Sequence, residues 1–158
     1  MKRPWNLIDL PVYSLLTLDE EGVINMNICT YVSAVSMQPK IYSVAIDYKT
    51  KTYQNLTNSQ VAVLQLLTKE HMQLVKKLGK KSGFKIDKEA YLRKNDCLTT
   101  WRSYPVLKNC SAVLELNKTT QLNVDGDHEI FFFKVNKFSS FSEDVLCFQD
   151  LIENNIIL

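Results

Sequence analysis

The sequence predicts a mainly β protein, a small barrel of about seven short, mostly antiparallel strands with two or three helices packed outside it. Short β-rich runs bounded by turn residues recur through the first half of the chain and again in its last third. Asp/Gly turns join successive runs, so hairpins dominate over the crossovers a parallel sheet requires. The 158 residues make one domain, read over 1–158, because two separate cores would be a squeeze.

The elements follow in order. Val12 to Leu18 is β-rich and stops at Asp19-Glu20-Glu21-Gly22, a turn with glycine where positive φ is easiest. Val23 to Ile28 returns as its hairpin partner. Tyr31 to Val35 is extended and ends at Ser36-Met37-Gln38-Pro39, because Pro39 cannot donate to a ladder. Ile41 to Ile46 is the next strand. Thr50 to Asn58 reads as a short helix, with Tyr53 and Leu56 one turn apart on one face. Gln60 to Leu66 is a strand. A helix then starts at the N-cap Thr68 and runs through Met72, Val75 and Leu78 to Gly79 as its C′ residue. Lys76, Lys77, Lys80 and Lys81 sit at that end of the dipole, where a solvated helix terminus accounts for them.

Asp87 to Lys94 is a further short helix, and Asn95 to Pro105 reads as irregular. Ser111–Leu116, Thr119–Val124 and His128–Val135 are strands, the last two joined by Asp125-Gly126-Asp127, a strong hairpin signal. Phe131-Phe132-Phe133 points apolar groups to both faces, so both must be covered. The apolar end Ile156-Ile157-Leu158 also needs cover, and a dimer would account for both features.

Composition excludes several classes. Lys and Arg total 19 against 17 acidic residues, a formal charge of +2, and only three of the 19 are Arg. A nucleic-acid footprint normally needs a domain pI above about 9 and clustered basic residues. No apolar run approaches the roughly 20 residues that span a bilayer, and the start lacks a signal-peptide stretch, so a cytoplasmic protein is expected. Cys29, Cys97, Cys110 and Cys147 include no C-x-x-C pair, and with only His71 and His128 a metal site is not expected.

Three spots go beyond fold-making. Thr50, Lys51 and Thr52, after Lys49, put hydroxyls, ammonium groups and unpaired N–H groups at a helix start, which either holds a phosphate or is a plain N-cap among solvated lysines. Asn27, Ile28, Cys29, Thr30 and Tyr31 close a polar strand segment whose backbone is either an ordinary edge or a reader of a flat heterocycle. His128 follows a tight turn, either as a surface histidine or as a proton or hydrogen-bond donor over a cleft.

In order and spacing these segments resemble the flavin reductase-like, FMN-binding split-barrel family. The likeness runs over roughly residues 10 to 136. It rests on Asn25 to Thr30, the Val35-Ser36-Met37-Gln38-Pro39 corner, Thr50-Lys51-Thr52 with Asn55, Ser82-Gly83 near Asp87-Lys88, Pro105-Val106-Leu107 and Gly126-Asp127-His128. Many members carry Thr-Ala-Ser-Ser where this chain has Ile28-Cys29-Thr30-Tyr31. The resemblance implies a six-stranded Greek-key split barrel acting as a homodimer, with FMN near the subunit interface. By that likeness residues 27 to 31 line the isoalloxazine, Thr50, Lys51 and Thr52 hold the phosphate, and His128 sits where nicotinamide approaches as the catalytic residue. The implied activity is NAD(P)H-dependent flavin reduction, with NADH or NADPH as co-substrate and free flavin, oxygen or a partner as electron acceptor. An FMN-holding electron carrier without nicotinamide activity and a flavin-free interaction module are the rivals. Cys29 is expected to pack rather than react.

Overall fold

The computed structural model describes residues 3–157. Its main sheet has seven antiparallel strands in the order β2-β1-β5-β8-β9-β4-β3. These are β1 (Tyr13–Leu18), β2 (Ile24–Met26), β3 (Val32–Met37), β4 (Lys40–Asp47), β5 (Val61–Leu66), β8 (Ala112–Asn123) and β9 (His128–Ser140). A separate ribbon pairs β6 (Leu98–Trp101) with β7 (Tyr104–Leu107). The helices are α1 (Lys51–Asn58), α2 (Met72–Lys80), α3 (Lys88–Lys94) and α4 (Phe148–Glu153).

The sheet curls because the chain between β2 and β3 ties its two ends together. Cys29 bridges Tyr13 of β1 in both directions at 2.9 Å, and Ala45 N–H of β4 donates to the Tyr31 carbonyl at 3.0 Å. Segment 27–31 is therefore the seam of a barrel. Leu15, Val44, Ile46, Leu64, Leu116, Phe131 and Phe133 fill the interior, and Leu56 of α1 joins them. Leu16 and Val63, one residue along from Leu15 and Leu64, belong to a second cluster with Val75 of α2, Leu92 of α3 and Leu151 of α4. β1 and β5 are thus buried on both faces, which fixes their register and the positions of the outer helices.

Several expectations change. The main sheet has seven strands rather than the six that the resemblance implies, because the short β2 pairs with β1. Ser111–Leu116 and Thr119–Val124 are one strand, β8, which absorbs the polar stretch through register shifts at Glu115/Leu116 and Lys118/Thr120. The segment read as irregular holds the β6–β7 hairpin, whose turn places Arg102 at φ 57° without any glycine to announce it. Gly79 lies inside α2 rather than after it. A Cβ there would stand 3.3 Å from the Ile28 side chain, so glycine serves close approach to the seam.

The apolar features the sequence assigned to a partner are mostly covered within the chain. Phe131 and Phe133 face the barrel interior, and only Phe132 turns outward, half-buried. Ile156 is buried in the second cluster: Asn155, at φ 55°, reverses the chain after α4, and Ile156 N–H donates back to the Leu151 carbonyl. Leu158 lies outside the described residues.

Candidate functional site

A cleft of about 380 Å³ opens between the barrel seam, the start of α1 and the end of α2. All nine sequence-predicted residues line it: Asn27, Ile28, Cys29, Thr30, Tyr31, Thr50, Lys51, Thr52 and His128. Their distance along the chain is bridged by the sheet, since β4 pairs Asp47 with His128 and then leads into α1.

The seam presents its backbone in alternation. Cys29 spends its N–H and C=O on Tyr13, and Asn27 turns to β1, its Oδ1 accepting from Leu15 N–H at 3.0 Å. Ile28 and Thr30, half a strand period away, have no backbone or side-chain partner for either main-chain group among the described residues. Two donors and two acceptors are thereby left along the rim, the pattern needed to read the edge of a planar heterocycle. Cys29 is buried and its thiol is pushed up to about 12 by desolvation, which disfavours the thiolate that a nucleophile needs.

At the other end, Thr50 is the N-cap of α1. Its Oγ1 accepts from Tyr53 N–H at 3.1 Å and donates to the Asp47 carbonyl at 2.8 Å, so the hydroxyl is committed to shaping the turn. What the first turn leaves open are the N–H groups of Lys51 and Thr52. Thr52 is buried, and its Oγ1 accepts from Asn25 Nδ2 at 3.1 Å, which leaves the Thr52 hydroxyl hydrogen to donate elsewhere. Lys51 Nζ rests 3.5 Å from Asp19 Oδ2. Some desolvation of Asp19 acts the other way, but the N–H groups of Val23 and Glu21 and the Lys51 ammonium hold its carboxyl below the usual range.

His128 stands on the rim with Nδ1 2.7 Å from Asp127 Oδ1, and that hydrogen bond keeps the Asp127 carboxyl low. Its ring meets Tyr31 edge-on at 5.4 Å. Tyr31 itself is exposed.

Sequence reasoning missed residues on the α2 side. Lys80 and Lys81, read as a solvated helix end, lie on the cleft wall, as do Ser82 and Gly83. A Cβ on Gly83 would fall 2.2 Å from Asn25 Oδ1 and 3.1 Å from Lys51 Cβ, so glycine is what lets the loop close over the Asn25–Thr52 pair. Lys88 is buried beneath the same wall. In all, Lys49, Lys51, Lys80, Lys81 and Lys88 face a single carboxylate, Asp47, around the cleft. The signal was the spacing of Ser82-Gly83 and Asp87-Lys88, which carried the family resemblance without any stated role.

A cleft of this make-up sits in a chain whose residues 6–150 match the flavin reductase like domain. The chain belongs to that family. Among solved structures, the fold is similar to an FMN-binding protein from Thermus thermophilus with bound 1-cyclohex-2-enone, at 20% identity over 89% of this chain and 75% of that one, TM-score 0.75. It is similar to the styrene monooxygenase flavin reductase of Pseudomonas putida, at 18% identity over 92% and 89% of the two chains, TM-score 0.76. It is also similar to an NADH:FAD oxidoreductase from Streptomyces globisporus in complex with NAD and FAD fragments, at 15% identity over 91% and 83%, TM-score 0.75. Among curated proteins, none matches this flavin reductase like chain by sequence. Among its described residues, no helix is long and apolar enough to cross a membrane, and no three His, Cys, Asp or Glu side chains gather to hold a metal.

Proposed function

We propose that this chain holds FMN in the cleft and acts as an NAD(P)H-dependent flavin reductase. The observation that carries the reading is the pairing of open main-chain groups at Ile28 and Thr30 with the free N–H groups of Lys51 and Thr52 across one cleft. The first pair suits a flat ring with alternating donors and acceptors, and the second suits a phosphate. The basic lining suits a ligand with more than one negative charge. When bound, flavin supplies the hydride and electron chemistry, and the protein supplies binding, orientation and electrostatics.

In this reading the Ile28 and Thr30 amides fix the ring edge, and Gly79 against Ile28 sets the depth of the rim. Asn25 aims the Thr52 hydroxyl, while Lys51 exchanges Asp19 for the ligand's phosphate. His128, steadied by Asp127, borders the open face where the nicotinamide of NADH or NADPH arrives. His128→Ala slows reduction while sparing FMN retention. The exposed Val35, Met37, Phe138 and Phe141 suit a homodimer face. Four unbridged cysteines suit a cytoplasmic setting.

A second reading, an FMN-holding electron carrier, is favoured by the Tyr31–His128 ring contact, which crowds the rim a nicotinamide would cross. Anaerobic addition of NADH or NADPH to the FMN-loaded protein decides. Prompt bleaching supports the reductase, and persistent yellow supports the carrier. Protein that takes up no FMN would refute both.

A further inference from the structure

Lys88 is the most unusual charged residue in the molecule. It is 5% exposed, yet its ammonium meets no carboxylate within ion-pairing distance among the described residues. Its partners are two backbone carbonyls, Met26 at 2.9 Å and Leu78 at 2.6 Å. Those carbonyls come from two different elements, β2 and α2, and of the two residues Leu78 lines the cleft. Met26 ends β2, directly before the rim segment, and Leu78 lies in the last turn of α2, directly before Gly79, which packs on Ile28. A buried ammonium with neutral partners only is a costly arrangement. Its third N–H has no protein acceptor among the described residues, and its side chain lines the cleft.

We propose that Lys88 is a positioning residue whose ammonium ties the rim to the end of α2 and supplies buried positive charge for an anionic ligand, so that ligand binding and protonation of Lys88 are linked. The inference rests on the reading of the cleft as a site for a phosphorylated flavin. The anion it serves is the phosphate, because Lys88 borders the corner that also holds Asn25, Lys51 and Gly83.

The other charged groups around it are occupied or of the same sign. On α3 and its cap, Asp87 accepts from Ala90 N–H, and Glu89 accepts from Ile24 N–H and Arg93. Asp19 of the β1–β2 turn pairs with Lys51 of α1. On α2, Lys77 lies over the Tyr91 ring, while Lys80 and Lys81 line the cleft. Lys85 precedes α3, and β2 offers only the neutral Asn25. On the cleft wall, Asp47 of β4 accepts from Lys49 N–H and lies outside ion-pairing distance of Lys88, while His128 pairs with Asp127. With no carboxylate in ion-pairing reach among the described residues, the charge that balances Lys88 is assigned to a ligand.

The sign of the pH dependence follows. Burial lowers Lys88 to about 8, so in the empty cleft the ammonium is lost as pH rises through that value. A bound anion favours the charged form, and the complex keeps the proton to higher pH. Affinity is therefore full below about pH 8 and falls above it, by at most about tenfold per pH unit.

The test measures FMN and riboflavin dissociation constants by flavin fluorescence between pH 7 and pH 9.5, a range in which the phosphate, with second pKa of about 6, is already dianionic. The wild-type protein should bind FMN about fivefold or more weakly at the top of the range than at the bottom, with riboflavin much less affected. Lys88→Arg, charged throughout, should flatten the FMN profile, and Lys88→Met should be weak at every pH. Parallel FMN profiles for wild type and Lys88→Arg would overturn the assignment while leaving the flavin site standing. Failure to bind either flavin would overturn the site and this inference together. A measurement on wild type alone guards against variants that do not fold: calorimetry of FMN binding in buffers of different ionisation enthalpy at pH 8.5 should show uptake of about half a proton, and zero uptake would overturn the inference.

Discussion

Replacing Lys51 with alanine tests the phosphate end of the cleft. In the free protein Lys51 Nζ lies 3.5 Å from Asp19 Oδ2, with about a quarter of each side chain exposed. A pair of that kind is worth about 0–1 kcal/mol. A charge-assisted hydrogen bond to phosphate contributes about 1.5–3 kcal/mol, so exchanging one partner for the other nets about 1–2 kcal/mol. Lys51→Ala should therefore weaken FMN about 5- to 30-fold by fluorescence quenching at low ionic strength, the loss shrinking as salt is added. Riboflavin, with the same ring and no phosphate, should bind wild type and variant alike. Asp19→Asn frees Lys51 from its resting partner and should tighten FMN up to about fivefold. Unchanged FMN affinity in Lys51→Ala, or a loss for riboflavin as large as for FMN, would remove Lys51 from the phosphate end of the cleft.

Gly83→Ala forces its methyl against Asn25 and should reduce stability by about 1–3 kcal/mol, with weaker FMN binding, read by thermal melts with and without flavin. An unchanged melting curve would show that the loop yields freely. Cys29 and Cys110, both buried with thiols pushed up to about 12, should resist iodoacetamide in the native protein at pH 8 and react after unfolding, as followed by peptide mass spectrometry. Rapid native labelling of Cys29 would show that the seam opens. Phe138→Glu, on the exposed apolar end of β9, should convert a sedimenting dimer into a monomer, and a monomeric wild type would contradict the proposed pairing face.

What was legible in the sequence was what local chemistry dictates. Gly22, at φ 80°, closes the β1–β2 turn, and Asp19 Oδ1 caps it through the N–H groups of Glu21 and Val23. Thr50 caps α1, and β3 stops before Pro39. The β6–β7 hairpin was hidden because its left-handed turn residue is Arg102, and α4 because its only C-terminal signal is Asn155, a weaker mark than glycine. The candidate site divides along the same line. Residues 27–31 and 50–52 stood out as polar groups at strand edges and helix starts. Lys80, Lys81 and Lys88 did not, since a lysine in a helix or at its end reads as solvated until tertiary packing places it beside a cleft. The alternation that leaves Ile28 and Thr30 open could not be read locally either, because it depends on Cys29 pairing with Tyr13.

The flavin cleft is tested most directly by a backbone amide NMR titration of the isotopically labelled chain with riboflavin and then with FMN. Both ligands should shift the Ile28 and Thr30 amides, and FMN alone should add large shifts at Lys51 and Thr52. Shifts that leave these four amides unmoved while appearing elsewhere, or no shift with FMN at all, would contradict a flavin site in this cleft.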